Sequence, residues 1–298
     1  MLRVRMARLL LFAGLLAVWP SGIEAVSPSA GGPAMWRLQA DNGAVIAFLG
    51  SFHILPPSVQ WRDTRVDAAL ASADGVVFEV DLGEMDRPET AQLIMSRALL
   101  PPDRSLRDVL SGETYAHVTR MSEKLALPPG SLDRAQPWFA ATGLLVGYMV
   151  KEGASPEDGV DSLLTREARA AGKRVIPLET LEEQFDVLGS LSRQDPDFLV
   201  MDTIRFIEDP AGLLQRMIEA WRTGDEAVID EIMRLDMDKY DGVYERFISG
   251  RNAAWVPKIE ALIETGGTYL VVVGAGHLVG RDSVIEMLRT KGYRVERY

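Results

Sequence analysis

The stretch AVIAFLGSFHILPPS, residues 44–58, decides how the chain is read. An apolar run stops at Gly50, and His53 follows three residues on. The arrangement returns far downstream in YLVVVGAGHLVG, residues 269–280, where Gly274 precedes His277. The chain holds three histidines, so two of the three stand in this setting. Short, continuous apolar runs closed by glycine read as strands covered on both faces, the kind found inside α/β sheets.

Working outward, residues 36–38 and 44–49 flank ADNG, residues 40–43. This predicts a hairpin, because Asn-Gly supplies the positive φ values of a tight turn. Residues 61–73 fit a helix with Val66, Ala69 and Leu70 on one face. VVFEVDL, residues 76–82, is a second interior strand. In residues 159–171, Val160, Leu163, Leu164 and Ala168 repeat at helical spacing, Gly172 closes the helix, and KRVIPLE, residues 173–179, follows as a strand. Helix, glycine, strand is the order of a βαβ crossover. TYLVVVG, residues 268–274, is the next strand, and a helix over 282–289 leads to a last strand over 293–297. Residues 85–155 and 180–235 read as mostly helical, and the apolar segment 138–150 is short enough to be a buried helix rather than a membrane span. The expectation is an α/β fold: a mixed central sheet flanked by helices, with a helical insertion in the middle, forming one domain over 34–298.

The sequence starts differently. Arg3, Arg5 and Arg8 precede the apolar run LLLFAGLLAVW, residues 9–19, which Pro20, Ser21 and Gly22 break. This is the layout of a signal peptide over residues 1–25, with cleavage between 25 and 30. It implies export, most simply to a periplasm, with an uncleaved N-terminal tether as the variant reading. The net charge of -11 excludes a general nucleic-acid binder, which needs a basic surface for phosphates. With no cysteine, disulfides, zinc thiolates and thiol nucleophiles are excluded.

The chemistry gathers at strand ends. In open α/β sheets, ligands bind beyond the carboxyl ends of the strands. If the strands before His53 and His277 are adjacent and parallel, both imidazoles enter one cleft. Neutral imidazole is a metal ligand and titrates near neutrality. Glu79 and Asp81 follow period-2 spacing, which places them on one sheet face, and Glu179 ends its strand in the same fashion. Buried carboxylates need partners, and Arg251, with its bidentate donors, is a candidate partner or an anion clamp. Asn252 beside it, and Asp161 in the first turn of a helix, complete the candidates, the latter equally well placed to complement the helix dipole. Glu179 has a second reading as the cap of the following helix. The chain lacks a complete dinucleotide fingerprint, a P-loop lysine, an H-E-x-x-H helix and a G-x-S-x-G elbow.

The ordered set GSFH (50–53), VFEVDL (77–82), GVDSLLTREARAAGKRVIPLETLEEQ (159–184), GRNAAWVPKI (250–259) and VVVGAGHLVGRDSVIEMLRTKGYRVERY (271–298) resembles the TraB/GumN family, related to the TIKI metalloproteases. The resemblance implies a fold similar to erythromycin-esterase-like and haem-binding ChaN-like proteins. It also implies a divalent-metal protease site in which His53, His277 and Glu79 hold Mn²⁺, Co²⁺ or Zn²⁺. Glu79 would alternatively act as the general base, Arg251 would steady developing negative charge there, and the substrate is a peptide or another small molecule. Two other readings share the cleft: a haem- or metal-binding protein without catalysis, and a metal-independent esterase-like hydrolase.

Overall fold

The computed structural model describes residues 31–85, 87–209, 212–237 and 242–298. The expected signal at residues 1–25 lies outside them. Six strands form one sheet among the described residues: β1 (Met35–Gln39), β2 (Val45–Ser51), β3 (Gly75–Phe78), β4 (Arg174–Pro177), β5 (Thr268–Gly274) and β6 (Val295–Arg297). Their order is β4-β3-β5-β2-β1-β6. β4, β3, β5 and β2 run parallel, whereas β1 lies antiparallel between β2 and β6, so the sheet is mixed.

β2 and β5 pair in register from Val45 opposite Thr268 to Ser51 opposite Gly274. Helices cover both faces of this pair, which is why its sequence is unbroken apolar rather than alternating. Phe48, Leu49, Val271 and Val272 are fully buried. Each such side chain contributes roughly 1.5–3 kcal/mol by leaving water. The hairpin before β2 turns on glycine alone. Gly43 has φ 88°, and its N–H donates to the Ala40 carbonyl. Asn42 keeps a negative φ and spends its side chain elsewhere, its amide donating to the Ile263 carbonyl and its oxygen accepting from the Ala44 N–H.

Between β2 and β3 lies α1 (Thr64–Ser72), capped by Asp63, whose carboxylate accepts from the Arg65 and Val66 N–H groups. The middle of the chain supplies α2 (Pro88–Ala98), α3 (Gly112–Lys124) and α4 (Pro137–Lys151), then α5 (Val160–Ala170) before β4. α4 is the apolar segment. Its Trp138, Phe139, Leu144 and Met149 are buried against neighbouring helices. Among the described residues, no helix is long and apolar enough to cross a membrane. After β4 come α6 (Leu181–Gln194), α7 (Pro196–Ile207), α8 (Leu213–Thr223) and α9 (Glu226–Met237), then α10 (Gly250–Thr265) before β5 and α11 (Val284–Thr290) before β6.

β3 and β4 are shorter than their sequences suggest. β3 stops at Phe78 and β4 at Pro177, because the chain there changes partners: the Glu79 carbonyl accepts the N–H groups of Leu178 and Glu179, tying the two strand ends together. All four parallel strands finish on the same edge of the sheet.

Candidate functional site

Each of the four parallel strands delivers one titratable side chain just past its carboxyl end. His53 follows β2, Glu79 follows β3, Glu179 follows β4 and His277 follows β5. All four are buried. This is the strand edge where open parallel sheets bind ligands.

Three glycines permit the approach. A Cβ at Gly50 would stand 3.0 Å from the Ala275 Cα, so glycine lets the end of β2 lie this close to the turn after β5 without displacing it. The Gly50 carbonyl accepts the Trp221 indole N–H at 2.8 Å, which fixes it from the other side. A Cβ at Gly159 would fall 1.9 Å from the His53 carbonyl oxygen. That contact brings the start of α5 onto the His53 loop, where the Val160 N–H donates to the Phe52 carbonyl. At Gly274 an added Cβ would lie 3.2 Å from Glu79 Oε1, 3.5 Å from His277 Cδ2 and 3.6 Å from His53 Nε2. One missing methyl group thus marks the point on which three candidate residues converge.

Both imidazoles are held at Nδ1. His53 Nδ1 is 2.7 Å from Asp161 Oδ2. Burial disfavours a charged ring, but the Asp161 carboxylate outweighs it and pushes the His53 pKa up to about 9. His277 Nδ1 is 2.7 Å from Asn252 Oδ1. The Asn252 amide donates to the Asp282 and His277 carbonyls, which leaves its oxygen facing the ring. His277 therefore carries its proton on Nδ1. Burial and the neighbouring Arg251 push its pKa down to about 3, so the ring is neutral and Nε2 keeps its lone pair.

That lone pair accepts from Arg251 Nη1 at 3.0 Å. Arg251 Nη2 bonds Glu79 Oε2 at 2.6 Å and Glu179 Oε1 at 2.5 Å, and its Nε bonds Glu179 Oε2 at 3.0 Å. The guanidinium also lies 4.7 Å from the centre of the Trp255 ring. The other Glu79 oxygen accepts the Gly274 N–H at 2.8 Å. Burial opposes ionisation of Glu79, yet Arg251, the nearby imidazoles and the Gly274 N–H hold it well below the usual carboxylate range. For Glu179, burial wins over Arg251 and raises the pKa. Glu79 is the standing anion, and Glu179 is the one that takes a proton first.

The sequence candidates divide cleanly. His53, Glu79, Asp161, Glu179, Arg251, Asn252 and His277 meet in one buried network. Asp81 does not. Because β3 ends at Phe78, the period-2 register that would align Asp81 with Glu79 is lost. Asp81 instead caps the short turn Leu82–Glu84 and pairs with Arg169 at 2.5 Å on the surface. Nor does Glu179 cap the next helix. Thr180 does so, in a capping box with Glu183. Two members escape sequence reasoning. Gln184 donates to Glu179 at 3.1 Å and to Glu79 at 3.4 Å, and the Trp255 indole donates to Glu179 at 3.2 Å. The available signal for Trp255 was its spacing of four from Arg251, which puts both on one face of α10.

In kind, the donors suit a divalent ion: two imidazoles anchored through Nδ1 by a carboxylate and an amide, plus an ionised carboxylate. His277 Nε2 and Glu79 Oε1 are 3.8 Å apart. As the side chains stand, no group of three or more such ligands among the described residues is gathered closely enough to hold an ion. The Arg251 guanidinium lies against two of the donor groups.

Residues 34–297 match the model of the TraB/PrgY/gumN family, and the chain belongs to that family. It is 31% identical over 245 residues to "Uncharacterized protein YbaP" of Escherichia coli (strain K12), across 81% of this chain and 86% of that protein. It is 26% identical over 317 residues to "Metalloprotease TIKI1" of Homo sapiens, across 88% of this chain and 61% of that protein. The "Metalloprotease TIKI homolog" of Amphimedon queenslandica is 22% identical over 319 residues, with 88% and 61% covered. No solved structure matches the chain.

Proposed function

We propose that this TraB/PrgY/gumN protein is an exported, divalent-metal-dependent hydrolase that cleaves peptide bonds. One observation carries the reading most: His53 and His277 are each anchored at Nδ1 and converge with Glu79 around the bare Gly274. Anchoring by a carboxylate or amide is how metal-binding imidazoles are oriented. The likeness to proteins named metalloproteases supports the same class. Export rests on the charged and apolar pattern at the start of the sequence.

A bound Mn²⁺, Co²⁺ or Zn²⁺ would lower the pKa of water and polarise a carbonyl. The chain's own residues do the rest. His53, Glu79 and His277 supply the donors. Asp161 and Asn252 fix ring orientation. Arg251, retained by Glu179, offers N–H groups to negative charge that develops on a substrate oxygen. Trp255 and the apolar ends of the strands keep bulk water away, which strengthens each of these interactions.

One observation favours a second reading. His53 is paired at Nδ1 with Asp161, the arrangement a metal-independent hydrolase would use with histidine as the base. Screening the purified protein against a peptide library, with Mn²⁺, Co²⁺ or Zn²⁺ and after chelation, separates the two. Metal-dependent cleavage lost in H53A and H277A supports the proposal. Full turnover after chelation transfers the case to the second reading, and cleavage that survives both substitutions removes the site from either.

A further inference from the structure

His277 Nε2 has one lone pair. In the neutral ring fixed by Asn252, that pair points at Arg251 Nη1, 3.0 Å away. A nitrogen lone pair accepts a hydrogen bond or binds a metal ion, not both. The neighbouring Nη2 occupies Glu79 Oε2. Arg251 therefore sits on two of the three donor groups that the proposed hydrolase assigns to its ion.

The same guanidinium has a second anchor that leaves those donors alone. Nε and Nη2 hold Glu179 through both carboxylate oxygens, and Glu179 is steadied in turn by Gln184 and Trp255. The paired bonds to Glu179 form one fork, and the bond to His277 uses the remaining terminal nitrogen. Giving up His277 costs Arg251 a single hydrogen bond while its charge stays paired.

We propose that Arg251 is the resident cation of the metal-free site: it competes with the divalent ion for His277 Nε2 and Glu79, and Glu179 is the carboxylate that retains it when the ion enters. The inference rests on the metal-dependent reading and adds a positioning role for Glu179, Gln184 and Trp255. Such a resident guanidinium keeps a buried carboxylate paired before the ion arrives, which avoids the cost of an isolated buried charge.

Isothermal titration of Mn²⁺ into the chelator-stripped protein tests it. R251M and R251K are compared with the unsubstituted protein, and E79Q serves as the control that loses a donor. R251K keeps the positive charge but lacks the planar fork that spans Glu179 and His277 together. Both Arg251 variants are expected to bind Mn²⁺ at least about tenfold more tightly, a range typical of changes to a ligand's hydrogen-bond partners. If R251M does not fold, R251K carries the comparison. R251K with unchanged affinity reduces the effect to charge and overturns the competition, while Mn²⁺ binding itself leaves the metal reading in place. No saturable Mn²⁺ binding by any of the folded proteins overturns both. Diffraction from unsubstituted crystals soaked in Mn²⁺ gives an independent readout. Anomalous density at His277 Nε2 with the Arg251 bond broken supports the proposal, and bound ion with that bond intact contradicts it.

Discussion

His53 Nδ1 and Asp161 Oδ2 lie 2.7 Å apart across 108 residues of sequence, both buried. The contact exists because Gly159 lets the start of α5 close onto the His53 carbonyl. It sets both the charge of the ring and the direction of Nε2. Replacing Asp161 by Asn keeps an acceptor for the ring proton but removes the charge that offsets burial. In D161N the His53 pKa is expected to drop from about 9 to below 6.5. Proton NMR titration of the ring signals measures this directly, and with three histidines in the chain, single substitutions assign them. A His53 pKa that stays near 9 in D161N would remove Asp161 as its cause.

The two histidines give the metal-free protein a stability optimum. His53 titrates at about 9 in the fold and near 6.5 unfolded, so its contribution is complete below pH 6.5 and is lost as pH rises through 9. His277 behaves in the opposite sense. Its folded pKa of about 3 means the unfolded chain gains a proton below pH 6.5 that the native ring refuses, so stability falls as pH falls toward 3. At about 1.4 kcal/mol per pKa unit, the alkaline arm amounts to roughly 3 kcal/mol. Urea unfolding in chelator at about pH 5.5, 6.5 and 9 is expected to show the highest midpoint at the middle value. A midpoint that climbs steadily from 6.5 to 9 contradicts the assignment.

Gly274 offers a probe that leaves every donor in place. Its φ of -48° suits alanine, so G274A carries no backbone strain. The added methyl group enters the point shared by Glu79, His277 and His53. The expected outcome is a folded protein, within about 1–3 kcal/mol of the parent, with metal affinity and peptide cleavage reduced by at least about tenfold. Circular dichroism checks the fold and calorimetry the affinity. Undiminished Mn²⁺ affinity in G274A would place the ion elsewhere.

G159A should act differently. Its Cβ would stand 1.9 Å from the His53 carbonyl oxygen, and that neighbour is backbone. The chain must shift, at about 3 kcal/mol or more. Thermal unfolding should show the loss, together with a weakened His53–Asp161 bond visible as a lowered His53 pKa. A variant as stable as the parent would mean that the loop gives way without cost.

The strands, and the two Gly-x-x-His ends, were legible because burial on both faces writes itself as an unbroken apolar run. Glu79 was legible for the same reason, as a lone acid inside such a run. Asp81 was not, since period-2 reading assumes that the strand continues, and β3 ends at Phe78 where the Glu79 carbonyl turns to Leu178 and Glu179. Asp161 and Asn252 carried only weak local signals. A carboxylate in a first turn and an amide beside an arginine have ordinary structural uses, and their partners lie 108 and 25 residues away. Gln184 gave no signal at all, because its role depends on α6 being packed against two strand ends at once.

X-ray absorption at the zinc edge tests the central claim most directly. Protein stripped with chelator is loaded with one equivalent of Zn²⁺, alongside H53A, H277A and E79Q. A site shared by His53, Glu79 and His277 predicts two imidazole nitrogens at about 2.0–2.1 Å in the parent, one in each histidine variant and two in E79Q with one fewer oxygen. Zinc with no imidazole scattering, or with the same scattering in the parent and both histidine variants, would contradict it.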